Sequence, residues 1–189
     1  LTIFLSLGAW RISQKRVLTR RIPAVETLGA ATVLCVDKTG TLTVNQMRVQ
    51  KLSVDDIVCE ISLSREPKID EKFHEVIEYG ILASQTDPFD PMEKAFHELG
   101  NHRLANTEHL HADWTLERGY PLSPNLLAMS HVWKSPTGQD YVIAAKGAPE
   151  AIADLCHLNT AQTRQVGDHV AVMAEDGLRV LGVAKGVYL

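Results

Sequence analysis

Apolar residues recur along this chain with two different periods, and the switches between them mark its elements. Ala31 to Val36 is a largely apolar, partly β-branched run that predicts a buried strand ending at Asp37. Met47 to Val54 and Ile57 to Leu63 read as two further strands, the first alternating Met47, Val49 and Lys51 against Arg48, Gln50 and Leu52, and Ser64 to Lys68 reads as a loop. The period then lengthens. Ile69, Phe73, Val76, Ile77 and Ile81 form the stripe of an amphipathic helix. A second helix spans Pro91 to Leu99, with Asp90 as N-cap, Pro91 at N1 and Glu93 at N3; Met92, Ala95, Phe96 and Leu99 face inward and Gly100 stops it. The two predict a helical hairpin.

Period two returns in Trp114 to Tyr120, Leu126 to Trp133 and Gln139 to Ala145, which are separated by Pro, Ser and Gly clusters. The SPTG turn between the last two predicts a hairpin and hence an antiparallel sheet. Pro149 opens a short helix carrying Ile152, Leu155 and Cys156. A longer one starts near Ala161 with Thr160 as cap, buries Val166, Val170, Met173 and Ala174, and ends at Gly177. Leu178 to Ala184 is the last strand. From Met47 onward the pattern is an antiparallel sheet flanked by helical hairpins, inserted after a single parallel-type strand.

Composition narrows the class. A chain of 189 residues with 45% hydrophobic content buries a core and is not disordered. Cys35, Cys59 and Cys156 lack metal-ligand spacing and read as reduced thiols. The net charge of −4 conceals an asymmetry, because Arg11, Lys15, Arg16, Arg20 and Arg21 stand in residues 1–22 without a single acid. The acidic remainder argues against nucleic-acid binding. The apolar run Leu1 to Trp10 is too short to span a bilayer as a helix and, with basic residues after it, reads as the cut cytoplasmic end of a membrane helix. His102, His109 and His111 lie in a polar loop whose spacing is a weak metal pattern.

Candidate chemistry concentrates at Asp37, in the stretch DKTGTLT. A carboxylate at the C-terminal edge of a strand sits where open α/β sheets bind ligands. Such a group attacks phosphorus without a general base and yields an acyl phosphate. Gly40 permits a tight turn, Thr39, Thr41 and Thr43 add donors for phosphoryl oxygens, and Lys38 adds positive charge. An ordinary Asp-Lys-Thr-Gly turn is the alternative. Downstream, KGAPE at Lys146 to Glu150 puts a lysine and Gly147 at a strand end beside a helix start, an arrangement that favours anions, although a surface lysine would read the same way.

DKTGTLT resembles the phosphorylation motif of P-type cation-transporting ATPases, and KGAPE, DPMEKA (Asp90 to Ala95) and DGLRVL (Asp176 to Leu181) match the same family in order. The resemblance implies an α/β fold: a partial haloacid-dehalogenase-like phosphorylation domain with a Rossmann-like strand, followed by an α+β nucleotide-binding domain. It divides the chain into a membrane-helix end and basic stalk helix over 1–22, the start of the phosphorylation domain over 23–46, and the nucleotide-binding domain over 47–189. The stalk helix would continue to about Arg21, with a short helix from Pro23 to Gly29.

The same resemblance implies site residues. Asp37 would be phosphorylated by ATP, with Lys38 beside it and Thr39 contacting the transferred group, and Mg²⁺ would be held partly by Asp37 and the Thr39 carbonyl. Lys146 would line the adenine pocket, Gly147 would let the base approach the backbone, Glu93 would accept from the adenine amino group, and Arg179 would contact the phosphates. Two alternatives stay open: a capping box of Glu93 with Asp90, and an Arg179 that is simply an exposed arginine near a helix end. In YPLSPNLLAMS, Tyr120 to Ser130, Leu122 and Leu127 stand where relatives carry an aromatic and a basic residue, which implies weak adenine binding.

The function implied is ATP hydrolysis through an aspartyl phosphate, coupled to cation transport, on the cytoplasmic side of a cell membrane. ATP, Mg²⁺, a cation bound outside this stretch and the remaining domains of the same protein would be its partners. Two other readings stand beside it. One is a soluble phosphatase of the haloacid-dehalogenase type, which would carry a second acid where Thr39 stands, and the other is that the stretch alone acts only as a weak ATP-binding module.

Overall fold

The computed structural model describes residues 2–17, 21, 23–62, 69–105, 107–136, 138 and 140–188. They fall into two compact units, Leu1–Asn45 and Gln46–Leu189.

In the first unit α1 (Thr2–Ser13) buries none of its residues, and Ile3, Phe4, Leu7 and Trp10 are exposed. It is shorter than the stalk helix expected to reach Arg21. Gln14, Lys15 and Arg16 donate back to the carbonyls of Trp10, Ile12 and Ser13, and Arg16 turns left-handed at φ 62°, which ends the helix. Residues 18–20 lie outside the described residues. A second helix, α2 (Pro23–Gly29), begins and ends at the proline and glycine expected. The strand expected over Ala31 to Val36 is not formed: Val33 is 78% exposed and nothing among the described residues pairs with the segment. A lone strand leaves its N–H and C=O groups without a ladder, so an apolar run alone cannot hold one. No helix among the described residues is long and apolar enough to cross a membrane.

The second unit opens with a hairpin of β1 (Lys51–Val54) and β2 (Ile57–Glu60), with Asp55 left-handed in the turn. β1 begins four residues later than the pattern predicted, although Ile61 N–H still bonds Gln50 O at 2.7 Å. β2 stops at Glu60, and residues 63–68, which include the expected end of this strand and the loop after it, lie outside the described residues. Leu52 turns inward to join Phe73, Ile77, Leu99 and Leu104 in the largest core cluster.

Those four residues come from a helical hairpin. After one 3₁₀ turn at Glu71–Phe73, capped by Asp70, comes α3 (His74–Leu82); α4 (Pro91–Arg103) packs against it. Asp90 caps α4 as predicted, its Oδ1 accepting from Met92 N–H at 2.7 Å. Gly100 does not stop this helix. A side chain there would begin 2.1 Å from Ile81 Cδ1, and one at Gly80 would meet the Phe96 ring at 3.1 Å, so both glycines let the helices approach closely.

Four antiparallel strands then form one sheet in the order β3 (Thr115–Tyr120), β4 (Ala128–Lys134), β5 (Tyr141–Gly147), β6 (Gly182–Tyr188). β6 starts at Gly182 rather than Leu178, because its partner β5 ends at Gly147, directly opposite Gly182. Between them lie α5 (Pro149–Leu155) and α6 (Thr160–Glu175). Ile152 of α5 is buried while Leu155 and Cys156 are exposed. The cap of α6 is Asn159, not Thr160: its Oδ1 accepts from Ala161 and Gln162, and Gln162 Oε1 accepts from Asn159 N–H in return. Only Met173 of its expected apolar face is buried. Val166 and Val170 are half-buried and Ala174 is exposed, since the helix leans on α5 along one narrow side.

Candidate nucleotide site

Three connections converge at one end of the four-stranded sheet. β4 starts at Ala128, opposite Gly147, where β5 ends, and Gly147 lies opposite Gly182, where β6 starts. The Leu122 segment, the KGAPE turn and the Arg179 segment therefore enter or leave the sheet at the same edge. Gly147 and Gly182 make this edge compact. A Cβ on Gly147 would stand 2.3 Å from Leu127 O and 2.5 Å from Ala128 Cα, and one on Gly182 would stand 2.9 Å from Ile152 Cβ. Contact with the start of β4 alone requires glycine at 147.

Lys146 precedes it on β5 and is buried to 3% exposure, so the surface-lysine reading fails. Its Nζ donates to Glu93 Oε1 at 2.7 Å and to Ser84 Oγ at 2.6 Å, with the Phe96 ring centroid 5.4 Å away. Glu93 reaches it from the first turn of α4. Its other oxygen accepts from Gln85 N–H at 3.4 Å, so the carboxylate is turned to the lysine rather than to a capping box with Asp90. Ser84 follows the end of α3 and donates its own hydroxyl proton to Gly80 O at 2.8 Å. That end of α3 is tied to β4 by Trp133 Nε1, which donates to Leu82 O at 2.8 Å, and by His131 Nδ1 at 3.0 Å from the same oxygen.

Burial is the largest influence on Lys146 and pushes its ammonium below the ordinary lysine range; the hydrogen bond and charge of Glu93, and the charge of Asp90, oppose it. Two of the three N–H donors of this buried ammonium are taken by Ser84 and Glu93. Ser84 was missed in the sequence. Its only local signal is its place four residues after Gly80, where serine can bond back to a helix carbonyl.

The other expected residues are exposed. Leu122 is 61% exposed in the connection from β3 to β4, ahead of the Ser123–Leu126 turn, and Arg179 is exposed three residues before β6. In the first unit Asp37, Lys38 and Thr39 are exposed at the head of a wide turn. Gly40 is left-handed at φ 76°, its N–H bonds Thr43 Oγ1 at 3.3 Å, and Thr43 N–H closes on Lys38 O at 3.1 Å. The Asp37 carboxylate and the Thr39 carbonyl are hard oxygen donors of the kind Mg²⁺ takes. Elsewhere His109 and His111 both reach the Glu78 carboxylate, at 2.5 and 2.7 Å, and His102 is exposed on α4. Among the described residues no group of three or more His, Cys, Asp or Glu is arranged to hold a metal ion.

Residues 89–188, which hold Glu93, the whole sheet and the converging edge, match the family model of the P-type ATPase cytoplasmic domain N. The chain belongs to the P-type ATPases. Its P-type ATPase relatives include a protein named as a probable cation-transporting ATPase F of Mycobacterium tuberculosis, 28% identical over 98% of this chain and 24% of its own length. Calcium-transporting ATPase 1 of Saccharomyces cerevisiae is 30% identical over 97% of this chain and 23% of its own. The chain spans between 21% and 24% of the length of the curated relatives it matches. Its antiparallel sheet with packed helices is consistent with the architecture expected of a domain N.

Proposed function

We propose that residues 47–189 are the nucleotide-binding domain of a cation-transporting ATPase and that ATP binds at the sheet edge around Lys146. The observation that carries this is the convergence there of the Leu122, Lys146 and Arg179 segments, with Glu93 held against the lysine. In this reading Lys146 and Glu93 form the polar floor under adenine and Leu122 covers its face. Gly147 fixes the floor against β4, and Arg179 reaches the phosphates.

Residues 23–46 supply the start of a haloacid-dehalogenase-like phosphorylation domain, preceded over 1–22 by the cytosolic end of a membrane helix. Asp37 takes the γ-phosphoryl group of ATP as an acyl phosphate, with Lys38 and Thr39 beside the transferred group. The Asp37 carboxylate and the Thr39 carbonyl would hold Mg²⁺, which supplies charge neutralisation when bound. Thr39 stands where a phosphatase of this type keeps its second acid, and that favours a lasting phosphoenzyme and hence a pump. The remaining domains of the same protein complete the machinery, and the transported cation binds outside this stretch.

The test is phosphorylation of the intact protein from [γ-³²P]ATP. An acid-stable, hydroxylamine-labile label is expected, absent in Asp37→Asn and dependent on one transported cation. The present chain alone binds ATP without becoming labelled, and stoichiometric label on it would overturn the assignment of the missing parts.

A further inference from the structure

We propose that Ser84 is the positioning residue of the Lys146 site, its hydroxyl acting as a fixed acceptor that aims the ammonium and so sets how strongly the site binds nucleotide. The inference deepens the nucleotide-binding reading above and rests on it for the ligand. Ser84 is 1% exposed and lies 62 positions before the lysine it touches. Its orientation is determined by its two partners. The hydroxyl proton goes to Gly80 O at 2.8 Å, which leaves only lone pairs to face Lys146 Nζ at 2.6 Å. Ser84 therefore accepts from Lys146 and cannot donate to it without giving up Gly80.

Two acceptors then hold the ammonium from different elements, Ser84 from the end of α3 and Glu93 from the start of α4. With two of its three N–H groups fixed, the third has a defined direction. Glu93 alone would leave the lysine free to rotate about one hydrogen bond. The carbonyl that locks Ser84 belongs to Gly80, whose Cα packs under the Phe96 ring, the same ring that faces the ammonium at 5.4 Å. The acceptor is thus part of the helix contact itself, and its position relative to the lysine follows from the packing of α3 on α4.

The charged form of Lys146 also depends on this oxygen. Burial disfavours the ammonium, the hydrogen bond and charge of Glu93 and the charge of Asp90 offset part of that effect, and the Ser84 oxygen at 2.6 Å gives the cation a second acceptor. Loss of the Ser84 hydroxyl leaves one donor of a buried cation without a partner.

The experiment uses the chain with ¹³C- and ¹⁵N-labelled lysine, wild type and with Ser84→Ala or Ser84→Cys, followed by NMR with ATP and adenosine as probes. In the wild type the Lys146 ammonium protons should exchange with water more slowly than those of exposed lysines, and the Lys146 Cε resonance should respond to ATP. Ser84→Ala should move the Lys146 titration to lower pH and weaken ATP about tenfold, as loss of one hydrogen bond to a charged group would. Ser84→Cys, whose sulfur is a weak acceptor, should fall between. A Lys146 titration unmoved in Ser84→Ala overturns the proposal, whether or not ATP weakens, since weakening would then come through the fold. Fast exchange of the wild-type ammonium overturns it as well, without any variant. ATP that binds and leaves Lys146 unperturbed instead removes nucleotide from this site, and the shift of the lysine titration in Ser84→Ala still decides whether Ser84 positions it.

Discussion

The ammonium of Lys146 and the carboxylate of Glu93 meet at 2.7 Å with almost no solvent on either side. Removing one member of such a pair strands the other charge in the interior, whereas replacing both by apolar groups removes the problem. Lys146→Met should therefore destabilise the second unit by about 3 to 5 kcal/mol, and Lys146→Met with Glu93→Leu should recover most of the loss. Urea unfolding of the wild type, both single variants and the double variant measures this. Additive losses in the double variant would show that the pair is not coupled.

The pH dependence of stability has a definite sign at the same residue. Burial lowers the folded pKa of Lys146 below the unfolded value near 10.5. At neutral pH both states are protonated and the burial penalty is present in full. As pH rises through the folded pKa toward 10.5, the unfolded chain holds more protons than the folded one, so the contribution of this group to stability increases. Wild type should gain urea resistance relative to Lys146→Met between neutral pH and about 10. A relative loss over that window would contradict the cause assigned to the shift.

Two glycines should respond oppositely to alanine. Gly147→Ala drives a methyl into the Leu127 carbonyl and Ala128 Cα, which are backbone and cannot rotate away, so a loss of about 2 to 3 kcal/mol is expected. Gly167, inside α6, has nothing within 4 Å of its missing Cβ and no positive φ. There alanine should gain about 0.5 to 1 kcal/mol through helix propensity and reduced unfolded-state entropy. Thermal melts of the two variants give the answer, and a Gly147→Ala protein as stable as wild type would mean that β4 and β5 can separate at this edge.

These contrasts show what the sequence could and could not display. Asp90 before Pro91, Gly177 after α6 and the stripe through Phe73 and Ile77 act over one helical turn, so they are legible locally. Gly100 misled because a glycine demanded by a neighbouring helix looks the same as one that ends its own. Ala31 to Val36 misled because a strand exists only with a partner. The family motifs singled out Lys146 and Glu93 separately. Their pairing across 53 positions, and the place of Ser84 beside them, arise only when α3, α4 and β5 come together.

Leu122 carries the last prediction. At 61% exposure it is no core residue of the sheet, so a larger side chain there meets solvent rather than packed neighbours, and Leu122→Phe should cost little stability. If it covers the face of adenine, an aromatic ring at this position adds stacking worth roughly 0.5 to 1.5 kcal/mol, a factor of about two to twelve in Kd. The gain should be equal for ATP, ADP and adenosine, because stacking does not involve phosphates. From a wild-type Kd on the order of 1 mM, an improvement of that size is measurable by NMR shift titration. Asp37→Asn, in the other unit, should leave all three affinities unchanged. A Leu122→Phe protein with an unaltered melting point and unaltered adenosine binding would take this residue out of the nucleotide site while leaving Lys146 in it.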